Sequence, residues 1–138
     1  MIQEFSAGGV VVRRMQGRAF VAVVRVRDEI LALPKGHPNG DESPADAARR
    51  EVREETGLEA ELIEKLGDVR YWYARGGKRV RKIVAFFLFR YRSGDVADHD
   101  HEVEEAFWIP LEEAPERLAY EGERQMAESA LSRLAEGR

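Results

Sequence analysis

Three glutamates, Glu51, Glu54 and Glu55, stand at positions i, i+3 and i+4 of a segment with strong helix punctuation at both ends. Ser43 suits the N-cap and Pro44 the first helical position, and Asp46, three residues after the cap, completes a capping-box pattern. Gly57 suits the left-handed residue that closes a helix. A helix over this stretch puts all three carboxylates on one face, one turn apart. Like charges at that spacing destabilise a helix by about 0.2–0.5 kcal/mol per pair, and anions near the C-terminal end also oppose the helix dipole. Two readings account for the arrangement. The trio is a solvated charged face paired with Arg49, Arg50 and Arg53, or it is a set of hard oxygen ligands whose repulsion a divalent cation offsets.

The rest of the chain reads as strands flanked by helices. Phe5–Val12 and the valine-rich Ala19–Val26 are expected to pair across a turn at Met15–Arg18, and Ile30–Leu33 forms a short strand stopped by Pro34. Pro34–Asp41 carries two glycines and two prolines and reads as a loop. Glu61–Tyr73 and Ile83–Tyr91 read as longer strands joined at Gly76-Gly77, and Ala106–Ile109 as a last short one. Pro110–Ala114 opens a helical turn, and Met126, Ala130, Leu131 and Leu134 mark an amphipathic helix over Glu123–Ala135. The outline is α/β, a mixed sheet with helices packed on it.

Composition narrows the function classes. With 138 residues and no visible repeat or linker, one domain spanning 1–138 is expected. The lack of cysteine removes disulfides, thiol nucleophiles and cysteine-based zinc sites together. A net charge of −4 gives no general bias toward nucleic acid or membrane. The run Ile83–Phe89 is far shorter than the ~20 residues that span a bilayer. Met1–Glu4 lacks the basic start of a signal peptide, so the expected compartment is the cytoplasm.

The acidic helix belongs to a longer pattern. From Gly36, five residues lead to Glu42 and seven more to Arg50-Glu51-Val52-Arg53-Glu54-Glu55-Thr56-Gly57-Leu58. This resembles the signature of the Nudix hydrolases at every fixed position, and flanking strands and terminal helix extend the likeness over nearly the whole chain. The resemblance implies an α/β/α sandwich with a loop–helix–loop catalytic element. It also implies Mg²⁺- or Mn²⁺-dependent hydrolysis of a nucleoside diphosphate linked to another group. On this chain it makes Glu51, Glu54 and Glu55 the metal ligands, with an oxygen from the Gly36 carbonyl. Arg50 orients the carboxylates, Glu54 also serves in catalysis, and Glu42 supports the loop. Relatives of this kind occur as monomers and as homodimers.

Three further segments bear on the substrate. Val69–Gly94 holds eight basic side chains and no acidic one, an asymmetry that suits a polyphosphate, although basic residues also protect exposed strand edges. Lys82 opens a strand that looks like the phosphate-contacting strand of diadenosine polyphosphate hydrolases. In Tyr71-Trp72-Tyr73 alternation sends the tyrosines to one face and the tryptophan to the other, so one side is expected to be core and Tyr73 is the candidate to stack on a base. Asp98–Glu105 has acids before Trp108, and His101-Glu102 resembles a His-Glu pair of the same subgroup. Glu102 is therefore the candidate additional ligand or general base, with Glu105 as rival. Pro34-Lys35-Gly36-His37 also looks like that subgroup, which makes Lys35 and His37 substrate-binding candidates. Relatives acting on RNA 5′ ends or on diphosphoinositol polyphosphates share much of this loop. Oxidised nucleotides, ADP-ribose and a non-catalytic nucleotide sensor complete the alternatives.

Overall fold

A computed structural model describes residues 2–137, so the ends of the expected 1–138 unit, Met1 and Arg138, lie outside the described residues. The strands are β1 (Ile2–Met15), β2 (Arg18–Val26), β3 (Ile30–Ala32), β4 (Lys35–Gly36), β5 (Leu58–Arg75), β6 (Lys78–Gly94) and β7 (Glu105–Pro110). The helices are α1 (Pro44–Thr56), α2 (Ala114–Arg117) and α3 (Glu121–Ala135). β1 is the hub. It pairs in parallel with β6 from Ile2 to Val12, while its other edge pairs antiparallel with β4 at Ala7–Gly8 and with β2 from Val12 to Met15. The main sheet runs β3-β2-β1-β6-β5, with β7 on β2.

Both faces of this mixed sheet are covered, which explains why β1 and β6 read as unbroken apolar runs rather than alternating ones. On one face α1 packs Ala47, Ala48 and Val52 against Ala7, Val11, Phe87 and Phe89. On the other, α3 packs Met126, Ala127 and Ala130 against Val10, Val84, Phe86 and Leu88. The result is an α/β/α sandwich. Among the described residues no helix is long and apolar enough to cross a membrane.

The local signals act as local chemistry requires. Ser43 Oγ accepts the Asp46 amide at 3.1 Å, and Gly57 closes α1 at φ 76° while donating its amide to Arg53. The β5–β6 hairpin turns at Gly76-Gly77, with φ of 58° and 77°. It also extends well past the expected strand ends, and there the expectation of a core side fails. Tyr71 and Trp72 are 43% and 47% exposed, and Tyr73 is half-buried. These aromatics pair with Val80–Lys82, the end of the sheet where β1 first joins β6: the tyrosine face opens onto a cleft, and Trp72 on the other face meets the Arg79 guanidinium rather than a core layer. Pro34–Asp41 also differs from a plain loop. Lys35 and Gly36 form a two-residue strand on β1, a pairing set by contacts distant in sequence.

Candidate active site

The site is assembled where β4 meets α1. Gly36 lies so close to the helix that a Cβ built on it would stand 2.1 Å from Oε2 of Glu51. Only a residue without a side chain admits that carboxylate. Glu51 is buried, and burial, followed by the proximity of Glu54 and Glu102, lifts its pKa, while Arg50 opposes the shift. Glu55 accepts the Lys35 backbone amide at 3.2 Å. Burial pushes its carboxyl up to about 8, with Glu51 and Asp100 adding to the rise.

Arg50 organises the other carboxylates. Its Nε and Nη2 donate to the two oxygens of Glu42, each at 2.9 Å, a bidentate geometry. Nη1 donates to Glu54 at 2.8 Å and to Glu51 at 3.1 Å, and Nη2 also reaches the His37 carbonyl at 2.9 Å. Glu42 further accepts the Asn39 amide at 2.9 Å, so it fastens both the loop and the guanidinium. The Arg50 hydrogen bond, and after it the Asn39 amide, hold Glu42 below its ordinary value. His37 turns away from the carboxylates, with Nδ1 3.0 Å from the carbonyl of Phe5 on β1.

The acidic loop before β7 separates the two rival glutamates. The Asp100 amide donates to the Glu54 carbonyl at 2.9 Å, which docks the loop on the end of α1. Asp100 Oδ1 then accepts the Glu102 amide at 3.1 Å, leaving Glu102 within electrostatic range of Glu51. Glu105 is already in β7, opposite Arg25 of β2, and forms an ion pair with it.

Lys35, Tyr73 and Lys82 share one cleft of about 740 Å³, also lined by Tyr71, Tyr120 and Glu123. His37 is not among its lining residues. Tyr71 pairs with Lys82 across the hairpin, and the Tyr71 and Tyr73 rings lie 6.3 Å apart, so both tyrosines and Lys82 share a face. Burial lowers the Lys82 pKa, helped by Lys35 and Arg75 and opposed by Glu4. Sequence reasoning passed over two of these wall residues, Tyr120 and Glu123. No motif marks them, because their place depends on α3 packing across the sheet.

The donor set suits a hard divalent cation. It comprises three carboxylates on one helix face, two of them pushed up by burial, beside a glycine backbone with no room for a side chain. Among the described residues no three acidic or histidine side chains converge as a ready-made cage, and Arg50 stands between Glu51 and Glu54.

Comparison with known proteins follows the same lines. A family model described as the NUDIX domain matches residues 4–129. A Mycobacterium tuberculosis protein named mutator protein MutT4 is 41% identical over 136 residues, which cover 94% of this chain and 55% of that one. An RNA pyrophosphohydrolase of Xanthomonas oryzae is 34% identical over 124 residues, covering 75% of this chain and 60% of the relative. The chain thus spans little more than half the length of these curated relatives. An Ap4A hydrolase of C. elegans, solved as a binary complex, shares the fold with a TM-score of 0.74 at 21% identity, over 96% of this chain and 98% of that one. Motif, sandwich and family model agree, and the chain belongs to the Nudix family.

Proposed function

We propose that this chain is a metal-dependent pyrophosphohydrolase that cleaves a nucleoside diphosphate linked to another group, with a diadenosine polyphosphate as the leading substrate. The single observation that carries the reading is the continuity of the two halves of the site through Lys35. Its backbone amide contacts Glu55, and its ammonium lines the cleft that also holds Tyr71, Tyr73 and Lys82. A polyphosphate bridge then reaches the carboxylates while a base stacks on the tyrosines of the cleft.

Glu51, Glu54 and Glu55, with the Gly36 carbonyl, would hold Mg²⁺ or Mn²⁺, which when bound neutralises the phosphate chain and polarises the attacked phosphorus. The remaining work belongs to the chain's own groups. Lys35 and Lys82 offset phosphate charge, and Tyr73 orients the base. Arg50 holds Glu54 and Glu51 in register. A water oxygen bonds to phosphorus as the bridging P–O bond breaks, and Glu54 or Glu102 accepts the water's proton. Catalysis of this kind is positional and electrostatic.

A second reading, removal of pyrophosphate from RNA 5′ ends, is favoured by the likeness to the Xanthomonas RNA pyrophosphohydrolase. A substrate panel with Mg²⁺ and Mn²⁺, resolved by product chromatography, tests both. ATP released from diadenosine tetraphosphate at the highest kcat/KM supports the lead. Preference for 5′-triphosphorylated RNA, ADP-ribose or an 8-oxo nucleotide replaces it, and binding without turnover makes the chain a sensor.

A further inference from the structure

Glu123 lies in the first turn of α3 and is 3% exposed, and both of its carboxyl oxygens are engaged. Oε1 accepts the backbone amide of Leu33 at 2.7 Å, and Oε2 accepts Lys35 Nζ at 2.7 Å. One carboxylate, 88 and 90 residues away in sequence, therefore grips the strand entering the site at two places, one main-chain and one side-chain. Between those grips and α1, the Lys35 amide meets Glu55. Burial disfavours the Lys35 charge, but Glu123, helped by Tyr120 and Glu55, raises the pKa above the ordinary value.

The lysine has two acidic neighbours. Glu55 also attracts its ammonium, and only Glu123 is paired with it. Without the Glu123 carboxylate, the half-buried ammonium would lose its ion-pair partner and turn to another carboxylate. Glu55, whose charge already acts on the ammonium and whose carboxylate holds the Lys35 backbone amide, is a residue assigned above to the metal. We propose that Glu123 is a positioning residue that holds Lys35 on the cleft side of β4 and so keeps Glu55 free for a divalent cation. The proposal rests on the metal-dependent reading and adds to it a residue outside the signature motif.

The test is Mn²⁺ binding without substrate, by calorimetry or by electron paramagnetic resonance, with thermal unfolding as a check on folding. Glu123→Gln is expected to weaken Mn²⁺ binding by about tenfold, the low end of the effect of residues behind a metal site. Glu123→Asp, which keeps the charge, is expected to fall between that variant and wild type. Adding Lys35→Met to Glu123→Gln should restore wild-type Mn²⁺ affinity, because the competing cation is gone, while substrate KM stays raised. A merely structural Glu123 would give no such restoration. Should Glu123→Gln fail to fold, Glu123→Asp with and without Lys35→Met carries the same comparison. Unchanged affinity in folded Glu123→Gln, or no restoration by Lys35→Met, overturns the proposal and leaves the metal reading standing. A wild-type protein that binds no Mn²⁺ overturns both.

Discussion

Gly36 and Glu51 are in contact with no room to spare, since a methyl group on Gly36 would lie 2.1 Å from the Glu51 carboxylate. The glycine of the motif is thus spatial rather than conformational: it lets a backbone strand and a helix carboxylate share one small volume. Gly36→Ala must displace Glu51, and displacement of a group in the site by about 1 Å can reduce turnover on the order of 10²-fold. Steady-state kinetics should show this loss with an unchanged far-ultraviolet circular dichroism spectrum.

Glu55→Gln is expected to remove turnover and yet raise stability. The neutral amide can still accept the Lys35 N–H, and it spares the protein a half-buried carboxylate that resists ionisation. In chelator near pH 8 the Tm of the variant should exceed that of wild type by a few degrees, roughly what 1 kcal/mol gives in a domain of this size. A lower Tm would contradict the burial argument.

Glu42 ties acid stability to the loop. Its pKa is depressed below the ordinary 4.5 by the Arg50 hydrogen bond and then by the Asn39 amide. A depressed folded value stabilises the protein above the unfolded value and is lost as pH falls through the folded one. Urea midpoints of wild type should therefore decline below about pH 4.5. Glu42→Gln should be less stable than wild type at pH 7 and show a shallower acid decline.

Tyr73→Ala should act on binding rather than chemistry. A base stacked on an aromatic ring contributes about 1–3 kcal/mol, so KM should rise while kcat changes little. Lys82→Ala should likewise raise KM, most strongly for substrates with longer phosphate chains. Chain-length-independent KM values in Lys82→Ala would place the phosphates elsewhere.

Glu102 and Glu105 should part company. Glu102→Ala removes a carboxylate near Glu51 and is expected to lower kcat and alter the pH–rate profile. Glu105→Ala breaks an exposed pair with Arg25, worth ~0–1 kcal/mol, and should leave kcat as it is. Equal, mild losses in both variants would take the acidic loop out of the mechanism.

What the amino-acid order determined is what neighbours along the chain can enforce. Ser43, Pro44 and Gly57 bound the helix, its pitch aligns Glu51, Glu54 and Glu55, and the Gly76-Gly77 turn sets the long hairpin, because each rests on hydrogen bonds and backbone angles within a few residues. The motif likewise made the sandwich legible, and the apolar runs in β1 and β6 reflect burial on both faces. Tertiary structure decided what lies between distant segments. Only the β1–β4 pairing brings Gly36 and Lys35 against α1, and only the packing of α3 places Tyr120 and Glu123 in the cleft. It also left Tyr71 and Trp72 uncovered, where strand alternation pointed to a core side. Register in the acidic loop was equally hidden. Whether Glu102 or Glu105 faces the helix depends on the Asp100 amide reaching the Glu54 carbonyl and on β7 pairing Glu105 with Arg25, contacts that no local propensity encodes.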